Sequence, residues 1–280
     1  MREISCETIT KAIERLCIEA ATILPPALGI LLECAAESET SPAGASALAD
    51  IVENFKYAAA EGLPICQDTG MAVVFADIGQ EVRITGGLFG DAVNEGVRRG
   101  YGRGLLRMSV VRDPFRRVNT GDNTPCVLHV RLTEGEKISL HVAPKGFGSE
   151  NMSAVRMFLP TDKPAAIEDF IVETVLKAGA NPCPPVVLGV GLGGTVEQCA
   201  LIAKRALLRP VDTRNGDEFY AEMERRTLDK INRLDIGPQG FGGLCTALAV
   251  NIEAYPVHIA GLPCVVNISC HATRHAQTEL

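Results

Sequence analysis

The ten cysteines of this 280-residue chain stand far apart, and their spacing limits what the chain can fold into. They occupy positions 6, 17, 34, 66, 126, 183, 199, 245, 264 and 270, so no Cys-x-x-Cys pair occurs. Zinc ribbons, thioredoxin-like sites and compact ferredoxin motifs all need such pairs. A disulfide framework is typical of short exported chains, and the N-terminus lacks the features of an export signal. We therefore expect most cysteines to be buried apolar residues, and any cysteine site to assemble from distant positions.

Composition and charge exclude several classes of protein. Apolar residues make up 46% and charged residues 22%, which is typical of a globular chain with a sizeable core. The formal net charge of −7 argues against binding to nucleic acid or to an anionic membrane surface. The most apolar stretch is interrupted by Pro25 and Pro26, which argues against a transmembrane helix. These features predict a cytoplasmic protein without nucleic-acid or membrane partners.

Hydrophobic periodicity predicts a chain of mixed helices and strands. The predicted helices cover residues 7–22, 27–37, about 47–60, 164–178, 195–208 and about 217–234, and the predicted strands cover 71–78, 127–133, 137–143, 186–190, 246–255 and 265–269. Residues 91–106 are predicted as a helix weakened by its glycines or as a helix followed by a loop. The turn Glu134-Gly-Glu136 predicts that the second and third strands form a hairpin. This mixture favours an α+β or mixed α/β fold with a mostly antiparallel sheet and surrounding helices. Because no repeat or linker is evident, we expect one domain over residues 1–280, with a helical N-terminal part over about 1–62.

Polar side chains concentrate in four predicted loops beside strand ends, where binding groups commonly lie. These are Pro64-Ile-Cys-Gln-Asp-Thr-Gly70, Lys145-Gly-Phe-Gly-Ser-Glu-Asn151, Asn181-Pro-Cys-Pro-Pro185 and Asn267-Ile-Ser-Cys-His-Ala-Thr-Arg-His275. The second is glycine-rich, so that its backbone amides could approach an anion. The third holds a cysteine between prolines, which fix it on a rigid turn. Each loop is a candidate site, and none is specific by itself.

A glycine-rich segment supports an alternative from another class of protein. Gly189-Val-Gly-Leu-Gly-Gly194 matches G-x-G-x-x-G and lies between a predicted strand and a predicted helix, as in dinucleotide-binding proteins. However, Asp212, about 20 residues further on, falls in a loop rather than at a strand end. A tight strand-to-helix turn is therefore favoured, and a nucleotide-binding protein remains the alternative.

The C-terminal polar segment supports a third reading. Cys270, His271 and His275 could form the zinc site of a hydrolase, because a His-x-x-x-His spacing could place two imidazoles on one helical face. The strand-like run before them and the lack of an adjacent glutamate weaken this alternative.

Six segments taken in order resemble the class I fumarases. They are Pro64-Ile-Cys-Gln-Asp-Thr-Gly70, Val93-Asn-Glu-Gly-Val-Arg-Arg-Gly-Tyr101, Leu106-Arg-Met-Ser-Val-Val-Arg-Asp-Pro114, Asn119-Thr-Gly-Asp-Asn-Thr-Pro125, Gly148-Ser-Glu-Asn-Met-Ser153 and Cys270-His-Ala-Thr-Arg-His275. The resemblance covers nearly the whole chain and is strongest to the α subunit of the two-subunit fumarase/L-tartrate dehydratase type. It implies a [4Fe-4S] hydro-lyase and makes residues 1–280 an α-type catalytic domain.

The resemblance assigns the cluster ligands to Cys66, Cys183 and Cys270. Three thiolates leave one iron with an open coordination position, where it can act as a Lewis acid on a substrate oxygen. The remaining cysteines are assigned to packing. Cys245 departs from the family pattern, and the sequence gives it no role.

The resemblance also identifies groups for binding a dicarboxylate and for proton transfer. Gln67, Arg107 and Gly148 match substrate-contacting positions: an amide donor, a guanidinium that can grip a carboxylate, and a backbone amide that can approach closely. Asp68 and His258 match positions of the catalytic machinery, where Asp68 could accept or relay the proton taken from carbon. Taken singly, each of these residues would more commonly have a structural role.

Three expectations complete the sequence-based hypothesis. His271, Arg274 and His275 either surround the cluster or form a polar edge, and the sequence leaves this open. One-chain relatives continue into a second catalytic domain that this chain does not match, which implies a separate β subunit and an α2β2 assembly. The expected reaction is reversible hydration of fumarate to L-malate, with dehydration of L-tartrate to oxaloacetate as the alternative.

Overall fold

The computed structural model describes residues 1–280. Its strands are β1 (Arg2–Ser5), β2 (Met71–Gly79), β3 (Val82–Thr85), β4 (Val127–Thr133), β5 (Ile138–Lys145), β6 (Ala154–Phe158), β7 (Val186–Gly193), β8 (Ala247–Tyr255), β9 (Leu262–Ser269) and β10 (Ala276–Glu279). Its helices are α1 (Cys6–Thr22), α2 (Pro26–Ser38), α3 (Pro42–Glu61), α4 (Phe89–Arg103), α5 (Phe147–Glu150), α6 (Pro164–Ala178), α7 (Val196–Ala206) and α8 (Glu218–Asn232), with a short 3-10 turn at Pro238–Gly240. The mixed helix-and-strand class is as predicted, and four of the seven strand pairings are antiparallel.

The chain divides into two compact units. The first comprises Met1–Pro25, Phe55–Gly146 and Arg274–Leu280, and the second comprises Pro26–Asn54 and Phe147–Thr273. The single-domain boundary of 1–280 stays a prediction.

The first unit packs α1 onto a four-stranded sheet of order β10-β5-β2-β4, and α4 packs against α1. The apolar stripe of α1, with Ile9, Ile13 and Leu16, lies in the same buried core as Val97 of α4 and Leu140 of β5. Ser5 is the N-cap residue of α1: it precedes the helix, and its hydroxyl accepts a hydrogen bond from the Thr8 amide. The nearly continuous burial of β2 follows from its position between two other strands.

The predicted hairpin of residues 127–143 is wrong in its pairing, although both of its strands exist. β2 lies between β4 and β5: Val73 pairs with Val127 in parallel on one side and with Ala143 in antiparallel on the other. Alternating hydrophobicity indicates a strand with one buried face, but it does not identify the strand's neighbour. The segment that fills the gap, β2, comes about 50 residues earlier in the chain.

The second unit is built on a sheet of order β6-β9-β7-β8, in which every residue of β7 is buried. β7 runs parallel to β8 and antiparallel to β9, and Val187 is paired with Ser269. The start of β7 and the end of β9 therefore lie at the same edge of the sheet. This register positions the two cysteine-bearing segments that flank these strands.

One stretch of the chain is long and apolar enough to cross a membrane by length and composition alone. It covers Cys6–Ser38, with a mean hydropathy of 1.6 in its best window, half of which is buried inside the structure. The structure separates this stretch into α1 and α2 at residues 23–25. A buried core helix also meets this criterion, so the stretch is weak evidence for a membrane span.

Candidate functional site

The loop that carries Cys66, Gln67 and Asp68 is fixed from behind by two buried side chains of the first unit. The Tyr101 hydroxyl lies 2.9 Å from the Thr69 carbonyl oxygen and 3.0 Å from that of Gly70. The Nδ2 of Asn123, a residue with no exposed surface, donates to the same Gly70 carbonyl at 3.2 Å. Burial raises the pKa of the Tyr101 hydroxyl far above its usual range, so that it stays a donor. The loop is therefore held by neutral hydrogen bonds to its carbonyl groups.

The same loop is joined to the segment that carries Arg107. The Arg107 amide donates to the Thr69 hydroxyl oxygen at 2.9 Å, and that hydroxyl lies 3.3 Å from the Arg107 carbonyl oxygen. The side chains of Arg107 and Gln67 are exposed, whereas Thr69 is buried. The structure thus brings together, within one unit, four residues that the sequence predicted for the site.

The Asp68 carboxylate lies against backbone on two sides. Its Oδ1 accepts from the Gly70 amide at 3.0 Å, and a Cβ atom at Gly146 would stand only 3.1 Å from Oδ2. Gly70 has a φ of +77° and packs directly on the backbone of Lys145, an arrangement that favours glycine. On the far side of the loop, Nη2 of Arg274 donates to the Asp68 carbonyl oxygen.

Cys183 occupies a tight turn of the second unit, just before β7. Its φ is +54°, its amide donates to the Ala180 carbonyl at 3.0 Å, and the prolines on either side are buried. The Cys183 side chain itself is exposed. The predicted rigid turn agrees with this geometry, and the structure adds that the thiol is accessible.

Cys270 follows the end of β9 and lies beside the Cys183 turn through its neighbour His271. The His271 amide donates to the Cys183 carbonyl at 3.3 Å, and its Nδ1 lies 3.1 Å from the same oxygen. Nε2 of Gln239 lies 3.2 Å from His271 Nδ1 and donates to the Pro184 carbonyl at 2.8 Å. His271 is thus part of the scaffold that joins the Cys183 and Cys270 segments.

Two more predicted residues of the second unit have different positions. A Cβ atom at Gly148 would lie 3.5 Å from the Asn181 carbonyl oxygen, so Gly148 is next to the Cys183 turn. His258 is exposed in the loop before β9, whereas Cys270 follows that strand. At ~3.3 Å per residue, this strand separates the two residues by roughly 26 Å. The structure therefore does not bring His258 together with Cys270 in one chain.

The cysteines differ in burial and location, which tests whether they suit an iron–sulfur cluster. Burial raises the pKa of the Cys126 thiol to about 11 and of the Cys199 thiol to about 11. Burial, then the nearby Glu39, raises that of Cys245 to about 12. Such thiols are poor sources of the thiolate that binds iron. Cys66, Cys183 and Cys270 instead lie in loops with part of their surface exposed, so their donor chemistry and access fit a cluster.

No group of three or more His, Cys, Asp or Glu side chains is already assembled as a metal site in the structure. The three-cysteine ligand set therefore stays a prediction. Of the residues whose role the sequence left open, His275 has a pKa lowered to about 4, by burial and then by the nearby His141.

The glycine-rich segment of the nucleotide alternative serves packing. Cβ atoms at Gly189 and Gly191 would each lie 2.1 Å from a carbonyl oxygen of α7, of Ala203 and Cys199 respectively. A Cβ atom at Gly193 would lie 2.0 Å from the Tyr255 carbonyl oxygen. These glycines let the helix and the next strand approach β7 closely, so the turn is filled by protein and does not form a phosphate cradle.

Sequence reasoning did not single out Tyr101, Asn123 or Gln239 as parts of the site. Tyr101 and Asn123 do lie inside the segments that carry the family resemblance. A buried tyrosine or asparagine needs hydrogen-bond partners, but the sequence does not identify which distant backbone groups supply them.

Comparison with known proteins supports the resemblance that the six ordered segments indicate. A family model described as "Fumarate hydratase (Fumerase)" matches residues 10–279. The chain is 39% identical over 275 residues to the "Putative L(+)-tartrate dehydratase subunit alpha" of Methanocaldococcus jannaschii, covering 96% of each chain. It is 30% identical over 242 residues to the "L(+)-tartrate dehydratase subunit alpha" of Escherichia coli, covering 85% of this chain and 79% of the relative. These matches identify a hydro-lyase. The chain belongs to the fumarate hydratase family, which confirms the resemblance.

Proposed function

We propose that this chain is the α subunit of a [4Fe-4S] hydro-lyase that reversibly hydrates fumarate to L-malate. The observation that carries the proposal is the anchored 65–70 loop, which presents a thiol, an amide and a carboxylate next to the Arg107 segment. These groups are the ones needed to hold a cluster, bind a carboxylate and move a proton. The family match supports the reaction class.

Cys66, Cys183 and Cys270 would hold the cluster. When bound, the cluster supplies an iron Lewis acid with an open position, which stabilises the departing hydroxide. The family implies this group, and the partly exposed loop thiols of this chain fit it.

The chain's own residues would orient the substrate and move the proton. The exposed Arg107 guanidinium grips one carboxylate, while the Gln67 amide and the Gly148 backbone amide donate to substrate oxygens. In dehydration, the Asp68 carboxylate accepts or relays the proton from the carbon next to a carboxylate. The electron pair of that C–H bond becomes the C=C bond as hydroxide leaves. Reversing these steps hydrates the double bond.

His258 would act on the substrate or orient a neighbour, as the family pattern implies. Its position at the far end of β9 means that it cannot reach a substrate held at Cys270 of the same chain. An active His258 would therefore have to come from a second α chain, which agrees with the proposed α2β2 assembly.

The partner would be a separate β subunit that completes the active site. Both relatives described above are named as α subunits, which supports a two-chain enzyme. We also propose a cytoplasmic location, since none of the ten cysteines is joined in a disulfide bond in the structure.

Dehydration of L-tartrate to oxaloacetate is the second candidate reaction, and the names of the two relatives favour it. Both reactions remove or add water at a four-carbon dicarboxylate. The two are separated by assaying the reconstituted complex with each substrate: loss of the ultraviolet absorbance of fumarate reports one, and oxaloacetate formation reports the other.

The experiment that tests the proposal combines cluster analysis with activity. The chain is prepared anaerobically with its β subunit, and iron and inorganic sulfide are measured in Cys66→Ser, Cys183→Ser and Cys270→Ser. We expect each variant to lose the cluster and at least about 1,000-fold in turnover, an order of magnitude typical of removing the principal electrophile.

Two matched variants control for cysteine replacement as such. Cys34→Ser replaces an exposed cysteine on α2. Cys199→Ser replaces a buried cysteine, and the new hydroxyl can still donate to the Gly191 carbonyl as the thiol does. Both should keep the wild-type iron and sulfide content. Hydration by a complex that contains no inorganic sulfide would overturn the proposal, and full turnover by the chain alone would overturn the need for a β subunit.

A further inference from the structure

Arg274 carries a buried positive charge whose hydrogen-bond donors are only partly used. The residue is 5% exposed, and its Nη2 donates to the Asp68 carbonyl oxygen. Its Nε and Nη1 atoms are buried and have no acceptor. Buried donors are nearly always satisfied in folded proteins, and an unsatisfied buried cation is costly. The arrangement therefore lacks an anionic acceptor beside this guanidinium.

Arg209, whose side chain is 14% exposed, shows how the chain can supply anionic partners to an arginine, although its Nε also lacks an acceptor. In the other unit, Nη2 of Arg209 pairs with Glu224, and its Nη1 lies 3.4 Å from Oε1 of Glu253. The chain itself supplies the carboxylates there. Tyr101 cannot play this part for Arg274, because burial raises the pKa of its hydroxyl and keeps it neutral.

The burial of Arg274 indicates what kind of acceptor is missing. A substrate must enter and leave in every turnover, which suits an exposed cation such as Arg107. A guanidinium closed off from solvent suits a resident group that stays bound. Arg274 meets the backbone of the loop that carries Cys66, and it follows Cys270 by four residues. Both are predicted thiolate ligands.

We propose that Arg274 is a positioning and tuning residue whose Nε–H and Nη1–H donate to sulfur of the cluster or of its thiolate ligands, while Nη2 holds the Asp68 backbone in place. This inference rests on the proposed function. Donors to cluster sulfur stabilise the more negative, reduced state, so they raise the reduction potential. The same donors fix the loop next to the reacting carboxylate.

The test compares Arg274→Gln and Arg274→Lys in the anaerobically reconstituted complex. Iron and sulfide are counted per chain, and the cluster is titrated with dithionite while its electron paramagnetic resonance signal is followed. We expect Arg274→Gln to make one-electron reduction of the cluster about tenfold less favourable, which corresponds to a 59 mV more negative potential. Arg274→Lys keeps the charge but not the fork of donors, and should shift the potential by less.

A second readout separates this role from a purely structural one. In the cluster-free chain, Nε and Nη1 of Arg274 have no acceptor, so Arg274→Gln should lower the free energy of unfolding by no more than the loss of the single bond from Nη2 to the Asp68 carbonyl. Arg83→Gln removes the same charge from the surface of the same unit, where Arg83 pairs with Glu3, and should leave the potential unchanged. Arg209→Lys controls for an arginine that has its own carboxylates and should also leave the potential unchanged.

Each outcome decides the question. Wild-type potentials in both Arg274 variants would overturn the inference and leave the proposed function intact. So would a larger destabilisation of the cluster-free chain by Arg274→Gln combined with a wild-type potential in Arg274→Lys. If the wild-type complex holds no iron and sulfide but still hydrates fumarate, both the cluster and the role of Arg274 are wrong.

Discussion

The loop at 65–70 and the turn at 181–185 each present a predicted cluster cysteine, but different interactions hold them. Buried side chains, Tyr101 and Asn123, hold the carbonyl groups of the first loop from behind. The second is held by its own prolines, by a residue with positive φ and by backbone bonds to neighbouring segments. The first loop therefore depends on individual distant residues, whereas the second depends mainly on local backbone geometry. Substitutions should show this difference directly.

The largest effect is expected for Asn123→Ala. Asn123 donates to the Gly70 carbonyl and accepts from the amides of Ser109 and Val110 at 2.7 and 3.2 Å. Alanine leaves buried backbone groups without partners, so we expect the free energy of unfolding to fall by about 3 kcal/mol in a urea titration. Asn119→Ala, an exposed residue of the same segment, should cost less than about 1 kcal/mol. Equal losses in the two variants would show that the first loop does not depend on its buried anchor.

The next largest effect on the free energy of unfolding is expected for Tyr101→Phe. The variant keeps the buried ring but removes the hydroxyl that reaches the carbonyl groups of Thr69 and Gly70. We expect a loss of about 1.5 kcal/mol in the free energy of unfolding, since one of these carbonyls keeps the bond from Asn123. Tyr57→Phe, on an exposed tyrosine, is the control and should be neutral within about 0.5 kcal/mol. A neutral Tyr101→Phe would remove the main support for a side-chain-anchored loop.

The substitution Gln239→Asn tests how the turn at 181–185 is held. The shorter side chain should no longer reach the Pro184 carbonyl and His271, while asparagine still tolerates the φ of +53° at this position. The backbone amide of Gln239 continues to donate to the same carbonyl at 2.8 Å. We therefore expect a loss of only about 0.7 kcal/mol, with Gln80→Asn on the surface as the control. A loss above that of Tyr101→Phe would reverse the comparison between the two loops.

The sequence predicted the elements well where the pattern is local. Residues 164–178 were predicted as a helix and form α6 with the same bounds, because the 3.6-residue periodicity and Pro164 at its start are both local signals. The hairpin prediction was wrong for a physical reason. Strand pairing is decided by long-range packing, and β2 pairs with both β4 and β5, which were expected to pair with each other. Short edge strands such as β1 and β10 carry too little pattern to be recognised.

The candidate site was predictable to the extent that its residues lie in recognisable segments. Given β7 and β9 as antiparallel neighbours, Cys183 and Cys270 must lie at one edge of the sheet. The anchors of the 65–70 loop were not predictable, because Asn123 acts on a carbonyl 53 residues away. The unsatisfied donors of Arg274 emerge only when every neighbouring acceptor is known.

The smallest effect is expected for replacing Glu39. Its carboxylate makes the stability of the second unit depend on pH, whereas the anchors of the 65–70 loop do not make the first unit depend on it. Burial would raise the pKa of this carboxyl, but donation from the amides of Ser41, Leu244, Cys245 and Thr40 outweighs it and lowers the pKa. The folded state thus favours the ionised form. Its stabilisation is complete above the pKa of the unfolded chain and is lost as the pH falls through the lowered pKa of the folded state. These bonds tie α2 to the segment before β8, within the second unit.

Glu39→Gln should therefore lower the free energy of unfolding by about 0.5 kcal/mol at pH 7, because the neutral amide keeps one acceptor oxygen but loses the charge. The difference from wild type should shrink as the pH is lowered below about 4, near the ordinary pKa of a glutamate. Urea titrations at several pH values measure it, with the exposed Glu37→Gln as the control. Tyr101→Phe should show no such pH dependence, because the buried hydroxyl stays neutral throughout. A pH-independent Glu39→Gln difference would mean that the charge of Glu39 contributes nothing to holding this segment.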